Sequence, residues 1–440
     1  MSVLIDGQLV PPPGVKGGLR QRSGKKAFRF ADLPDPIPAE IRDTKEIQKF
    51  LKDWNLVPYA GNMDATGDSL RAFFSSMAYL SATHGACIAS KKRLSLGKFV
   101  VRRRVDVDFD LGQEDEVDTG TQTDFVEFLK TLETGGVKLR NMAISFYEDW
   151  EEVGDQFCEV VITQTLGVKS YAIHRHRPAN VKYLATGKGE QRFVAISPIW
   201  NAKYLEKNPP AVVPLFPAFV TETDGTMRTM LHRKSGKNEW YGRPPAWSAF
   251  LFWYREYQDA SYLVKVSNSN FTGQIIIEVE DDNPDLTDEE ARRNGYAGEA
   301  DRIHKNFTHE ADDPMTVWYS SRPTGARPMF VHEVKPNTAQ DFYRVMDQIT
   351  EAKIIRAHGW SKRLMEAEEG AGLSSNVFMD LLKSRLPVIN GVQEDASAIL
   401  NQAITIILKD AGRTDLENIG ISFKSPFQEI IDQTEQEPAQ

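Results

Sequence analysis

Two short runs in this chain set metal-type ligands at regular spacing. Asp106, Asp108 and Asp110 alternate through Val105–Phe109, so an extended backbone would put three carboxylates on one face, a row able to hold a divalent cation. His174 and His176, within His174-Arg175-His176-Arg177, share a strand face in the same way. The histidine pair has no acidic residue near it in sequence, and metal sites use three or four well-spaced ligands, so this run reads as a basic surface hairpin. The aspartate row reads first as a solvated strand face. Its functional alternative is a metal-dependent nucleic-acid-processing enzyme. There is no Gly-x-x-x-x-Gly-Lys-Ser/Thr loop to cradle phosphates and no Gly-x-Ser-x-Gly elbow, so ATPase and α/β-hydrolase chemistry lack their mechanical parts. No catalytic residue, cofactor or resident metal is expected.

A third constellation is less regular. Trp360, Lys362 and Arg363 are followed by Glu366, Glu368 and Glu369 and then by Gly370-Ala371-Gly372. The cations could reach phosphates, and Trp360 has two readings, a nucleic-acid contact or an anchor for the loop. The glutamates would oppose tight adhesion to a polyanion.

Bulk composition narrows the partners. In 440 residues, 53 Lys plus Arg stand against 62 Asp plus Glu for a formal charge of −9, which argues against a dedicated duplex-binding protein. Transient contact with DNA that must slide past without sticking remains compatible with that balance. An apolar fraction of 41% is enough for substantial cores, and the length points to several modules. Cys87 and Cys158 are the only cysteines, as expected for a reducing compartment. The first residues carry no basic, apolar leader and no run approaches a membrane span, so folding in the cytoplasm and no membrane partner are expected.

The elements that must position these residues can be read in order. Residues 1–29, with Pro11-Pro12-Pro13-Gly14 and a basic cluster, read as an extended arm. Helices are expected near 41–54, over 69–90 and over 124–133, with a half-exposed strand at 100–109. From 144 to 183 the order is helix end, glycine turn, strand, hairpin at Leu166-Gly167, second strand, and a third strand after Pro178. Short strands continue through 192–199, an α+β pattern. Trp240-Tyr241-Gly242-Arg243-Pro244-Pro245 should then open a long helix. Gly242 would allow a bend, and the prolines suit a first turn whose N–H groups are unpaired anyway. Phe250, Trp253, Tyr254, Tyr257, Ser261 and Val264 give that helix one apolar face. Strands are expected at 273–279, 315–319 and 329–334, with a short helix at 287–294. A second long helix starts at a Thr338 cap, with Asp341 in its first turn, and carries Phe342, Val345, Met346, Ile349 and Ala352 on one face up to His358-Gly359. A last helical pattern runs from 374 or 375 past Ile407, with a kink at Pro387.

This order of parts resembles the portal protein family of tailed bacteriophages over about residues 50–410. The helix ending near Lys91–Lys98, the Asp149–Tyr183 block and, above all, the Tyr241-Gly242-Arg243-Pro244-Pro245 helix opening carry the resemblance. The family implies an α/β wing at 30–245, a first stem helix at 246–270 and a small β-containing clip at 271–337. A second stem helix at 338–359, a tunnel loop at 360–374, a kinked wing helix at 375–411 and a short crown or tail at 412–440 complete it. It also implies a homo-oligomeric, dodecameric ring at one vertex of the virion. Double-stranded DNA would pass without sequence preference, touching Trp360, Lys362, Arg363, Glu366, Glu368 or Glu369. Partners would be a packaging motor ATPase, head–tail adaptors, and the major capsid protein or scaffold. A non-portal virion protein, such as an adaptor, is the remaining alternative.

Overall fold

Sequence patterning of both periods is realised in the computed structural model, which describes residues 3–5, 8–10, 56–57, 59, 70–103, 117, 119–133, 137–184, 193–200, 202–222, 224–236, 240–269, 275–281, 317–323, 340–366 and 375–427. In chain order the elements are β1 (Val3–Ile5), β2 (Gln8–Val10), α1 (Leu70–Leu80), α2 (Ala82–Ser95), β3 (Lys98–Arg103), α3 (Thr119–Thr131) and α4 (Leu139–Val153). There follow β4 (Asp155–Thr165), β5 (Val168–His176), β6 (Val181–Tyr183), β7 (Phe193–Ile196), α5 (Ala202–Lys207), β8 (Ala211–Pro214), β9 (Val220–Thr221) and β10 (Met227–Lys234). The remainder is α6 (Phe250–Ser269), β11 (Ile275–Asp281), β12 (Val317–Pro323), α7 (Gln340–Ala357), α8 (Lys362–Glu366), α9 (Ser375–Ser384), α10 (Leu386–Asp410) and β13 (Ile419–Lys424). The fold is α+β. It divides into two compact units, Met1–Asp32 with Arg255–Ile349, and Leu33–Tyr254 with Thr350–Gln440.

In the first unit β1 pairs antiparallel with β2, and β11 pairs parallel with β12, Ile275 opposite Val317. The strands expected at 273–279 and 315–319 are thus present. The expected strand at 329–334, the short helix at 287–294 and the Thr338 cap lie outside the described residues.

The second unit is built on an antiparallel sheet in the order β5-β4-β10-β9, with a three-stranded sheet β6-β7-β8 and the pair β13-β3 beside it. The β4–β5 hairpin closes at Leu166-Gly167, as its sequence predicts. Both residues have positive φ, 52° and 84°, the conformation a two-residue turn needs to match the twist of its strands. Helix α10 supplies the centre of the core. Val392, Ala396, Ile399, Leu400, Ala403, Ile404 and Ile407 are all buried, a stripe at helical period that meets α4, β4, β10 and β13. Each Val, Leu or Ile among them contributes roughly 1.5–3 kcal/mol on leaving water.

Two expectations are corrected. The helix read over 69–90 is two helices, because Ser81 stops α1 and its hydroxyl caps α2 by accepting from His84 N at 3.3 Å. The kink at Pro387 is instead a full break at Arg385, and Pro387 falls in the first turn of α10, where its missing N–H costs no bond. Val264, Val345 and Ile349 are exposed, whereas Thr350, Ile354 and Ile355 near the end of α7 are buried.

Candidate functional site

The Tyr-Gly-x-Pro-Pro segment is held by direct backbone packing. Gly154 ends α4 in the left-handed conformation, φ 82°, its N–H meeting Asp149 O and Trp150 O. Residues 241–243 cross this turn so closely that a Cβ on Gly242 would lie 1.8 Å from Gly154 O, and one on Gly154 would lie 2.0 Å from Arg243 O. Gly242 does not have positive φ. Its glycine is therefore required by close approach, not by the bend that the sequence indicated.

A buried polar array locks the crossing. Gly242 N donates to Asp155 Oδ1 at 2.6 Å, and Tyr59 Oη donates to Gly242 O at 2.6 Å. Tyr241 Oη donates to Val57 O and accepts from Tyr183 N, both at 2.9 Å. Asp155 also meets His232 Nε2 at 2.8 Å and Arg71 Nη2 at 3.4 Å. Arg71 Nη1 donates to Val181 O at 2.7 Å, and its guanidinium carbon lies 4.6 Å from the Tyr241 ring centroid. The Tyr183 hydroxyl is bonded to His232 Nδ1. Burial pushes the Tyr241 phenol up to about 12 and those of Tyr59 and Tyr183 further up. Burial also lowers His232 against the opposing pull of Asp155. The Asp–His–Tyr connectivity resembles a proton relay, yet Asp155, Tyr183 and Tyr241 are sealed from solvent. Its chemistry is to pair buried backbone and fix the turn.

From this anchor the chain enters α6. Trp247 N bonds to Pro244 O at 3.0 Å, and a 3₁₀ turn at Trp247–Ala249 precedes the helix. The helix thus starts beyond the prolines, not at them. Trp247 stacks on Phe250, ring centroids 5.1 Å apart, and Phe74 of α1 meets both edge-on at 5.2 and 5.8 Å. Phe250 and Trp253 are buried.

A second array lies where α7 ends. Lys91 Nζ meets Glu151 Oε1 at 2.6 Å, Glu151 Oε2 lies 3.4 Å from His358 Nδ1, and His358 Nε2 is 2.8 Å from His84 Nδ1. The His84 ring stacks on Trp253, centroids 3.9 Å apart. Burial lowers His84 to about 2, with His358 adding to the effect, and lowers His358 as well. For Glu151, burial acts upward, but Lys91 and His358 outweigh it and hold the carboxyl at about 2.

The residues singled out from sequence are dispersed. Trp360 is 3% exposed, packs with Cys87, Leu94, Ile355, Leu364, Leu382 and Ile389, and donates from Nε1 to Ser90 Oγ at 3.1 Å. Of its two readings the structure has the anchor, and the indole offers no surface for a DNA contact. Residues 362–366, expected in a loop, form the short helix α8. There Lys362 Nζ meets Glu351 Oε2 at 2.8 Å, and Arg363 is exposed. Glu366 ends α8, whereas Glu368, Glu369 and Asp106, Asp108 and Asp110 lie outside the described residues. The expected basic hairpin is partly neutralised. Arg175 makes two bonds of 2.7 and 2.6 Å to Asp149, and His176 Nε2 lies 2.7 Å from Glu159 Oε2, while His174 is exposed. Both acids come from neighbouring elements, which is why no sequence-local partner is visible. Burial raises Asp149 to about 6 despite Arg175. Among the described residues no cluster of three His, Cys, Asp or Glu could hold a metal ion. Among them, too, no helix is long and apolar enough to cross a membrane.

Both arrays were missed by sequence reasoning. Gly154 and Gly242 were visible, but their contact joins positions far apart in the chain. His84 and His358 carried no spacing signal at all.

No family model matches the chain, and no curated protein matches it. Its structure is similar to a chain from the virion of a native gene transfer agent particle, with TM-score 0.44 and 10% identity, covering 83% of this chain and 87% of that one. It is likewise similar to chains from the neck of the empty particle, computed with C6 symmetry, and of the native particle, computed with C12 symmetry. The TM-score is 0.40 for each, identity is 12% and 13%, and coverage is 89% of this chain and 88% of the other.

Proposed function

We propose that this chain is a portal-type virion subunit whose copies close into a ring around a DNA channel. The observation that carries this reading is the Gly154–Gly242 crossing. The two sequence blocks with the clearest portal resemblance, 149–183 and 240–270, meet there backbone on backbone, and α6 leaves from that point. In this reading α6 and α7 are the stem helices and β11–β12 belongs to the clip. Residues 360–374 are the tunnel loop, anchored at its start by the buried Trp360, and α9–α10 form the wing helix. The exposed Val264, Val345 and Ile349 suit packing between neighbouring subunits of a heterologous closed ring. The work is positional. DNA would enter and leave by sequence-independent contact with its backbone, a motor ATPase and later the head–tail adaptors would dock at the clip, and capsid or scaffold would contact the wing.

Negative-stain imaging with a mass measurement of the intact assembly tests the proposal. The expected result is a turbine-like ring with an axial hole, dodecameric in the virion. A stable monomer at high concentration would count against it. Deleting residues 366–372 should leave the ring intact and impair packaging or retention of DNA, and failure of the ring itself would mean that this segment is placed wrongly.

A further inference from the structure

Two apolar clusters of the second unit lie beside the histidine pair. The larger surrounds α10 and includes Phe146 and Tyr147 of α4; the smaller gathers Ile355, Trp360 and Leu364 against Cys87 and Leu94 of α2, with Leu382 and Ile389. The Lys91–Glu151–His358–His84 chain bridges them, linking α2, α4 and the turn after α7.

We propose that this chain is a proton-operated latch: while both imidazoles are neutral it holds residues 350–364 on α2 and α4, and uptake of one proton by each ring releases that segment before the rest of the unit opens. The geometry leaves no place for both extra protons. The 2.8 Å contact between His358 Nε2 and His84 Nδ1 holds one hydrogen, whichever ring donates it, so protonation of both rings would set N–H against N–H. The other nitrogen of His84, Nε2, has no hydrogen-bond partner among the described residues and lies in the stack with Trp253, so a charge there would be buried and unpaired. The charged and titratable groups facing the pair are Lys91 of α2 and Glu151 of α4, with Tyr147 beside Glu151, and Cys87 and Asp395 of α10 acting on Tyr147 in turn. Lys91 already balances Glu151 and itself disfavours a positive ring. The released segment rests on the smaller cluster, and such satellite units open at lower cost than a central core.

Opening that exposes both rings takes up two protons. Below the ordinary imidazole value of 6.5 its equilibrium constant should rise about a hundredfold per pH unit, and about a thousandfold in all by pH ~5.0. Hydrogen exchange of the full-length protein between pH ~7.5 and ~5.0, corrected for intrinsic exchange, measures that constant. Peptides from 350–364 should show the rise, while peptides from β4 and β10 keep smaller opening constants at every pH. His84→Phe retains an aromatic ring on Trp253 and should cut the rise to about thirtyfold. His358→Gln provides the same reduction should that variant not fold. A flat profile for 350–364, opening constants that coincide with those of the sheet, or an unchanged pH slope in a folded variant would each overturn the latch.

Discussion

Replacing Gly242 by alanine adds one methyl group where the 241–243 backbone crosses the Gly154 turn. That methyl carbon would stand 1.8 Å from Gly154 O, about 1.5 Å inside an ordinary van der Waals contact. The obstacle is backbone, held by the α4 cap and β4, so the 241–243 strand must withdraw. Overpacking of this kind costs about 1–3 kcal/mol. Withdrawal also stretches the Gly242 N–Asp155 and Tyr59–Gly242 O bonds, and a buried polar group left unpaired costs about 1–3 kcal/mol more. The expected loss is about 2–6 kcal/mol, or roughly 3–9 °C in Tm for a unit of about 300 residues, read by thermal or urea denaturation followed by circular dichroism. Gly391→Ala is the control. Its new Cβ meets nothing within 4 Å, and in the interior of α10 it should stabilise by about 0.5–1 kcal/mol. A Gly242→Ala protein with a Tm within about 2 °C of the parent would refute the crossing as a required close approach.

Tyr241→Phe leaves Val57 O and Tyr183 N without their partner, and should cost about 1–3 kcal/mol in urea denaturation with the aromatic packing intact. Trp360→Ala should destabilise by about 3–5 kcal/mol because it empties the smaller cluster, while Trp360→Phe should lose far less; equal losses would contradict an anchoring role. Glu151→Ala strands the buried Lys91 ammonium and should cost about 3–5 kcal/mol at neutral pH. In the parent protein Glu151 is held at about 2 against an ordinary 4.5. The unfolded chain therefore binds that proton first, and the Glu151 contribution, complete above 4.5, is lost as pH falls from 4.5 towards 2. An acid-denaturation profile of the variant should lack that increment.

What the amino-acid order determined by itself is local. The Leu166-Gly167 turn, the glycine stop after α4, the buried stripe of α10 and the halt at His358-Gly359 each follow from a period or a backbone preference within a few residues. Boundaries were lost where the helical period continues through a stop, at Ser81 and Arg385, because apolar spacing does not register a cap or a one-residue break. Candidate sites were less legible still. Trp360 looked the same in sequence as an anchor or an exposed contact, and only the cluster around Ile355 and Leu364 decides that it is buried. The partners of Arg175 and His176 sit on α4 and β4, and those of the His84 ring on α6 and beyond α7. Burial and pairing are properties of what the folded chain brings together, so a sequence-local reading assigns residues to faces and leaves their neighbours open. The chemistry of the Gly154–Gly242 crossing and of the histidine latch resides in those neighbours.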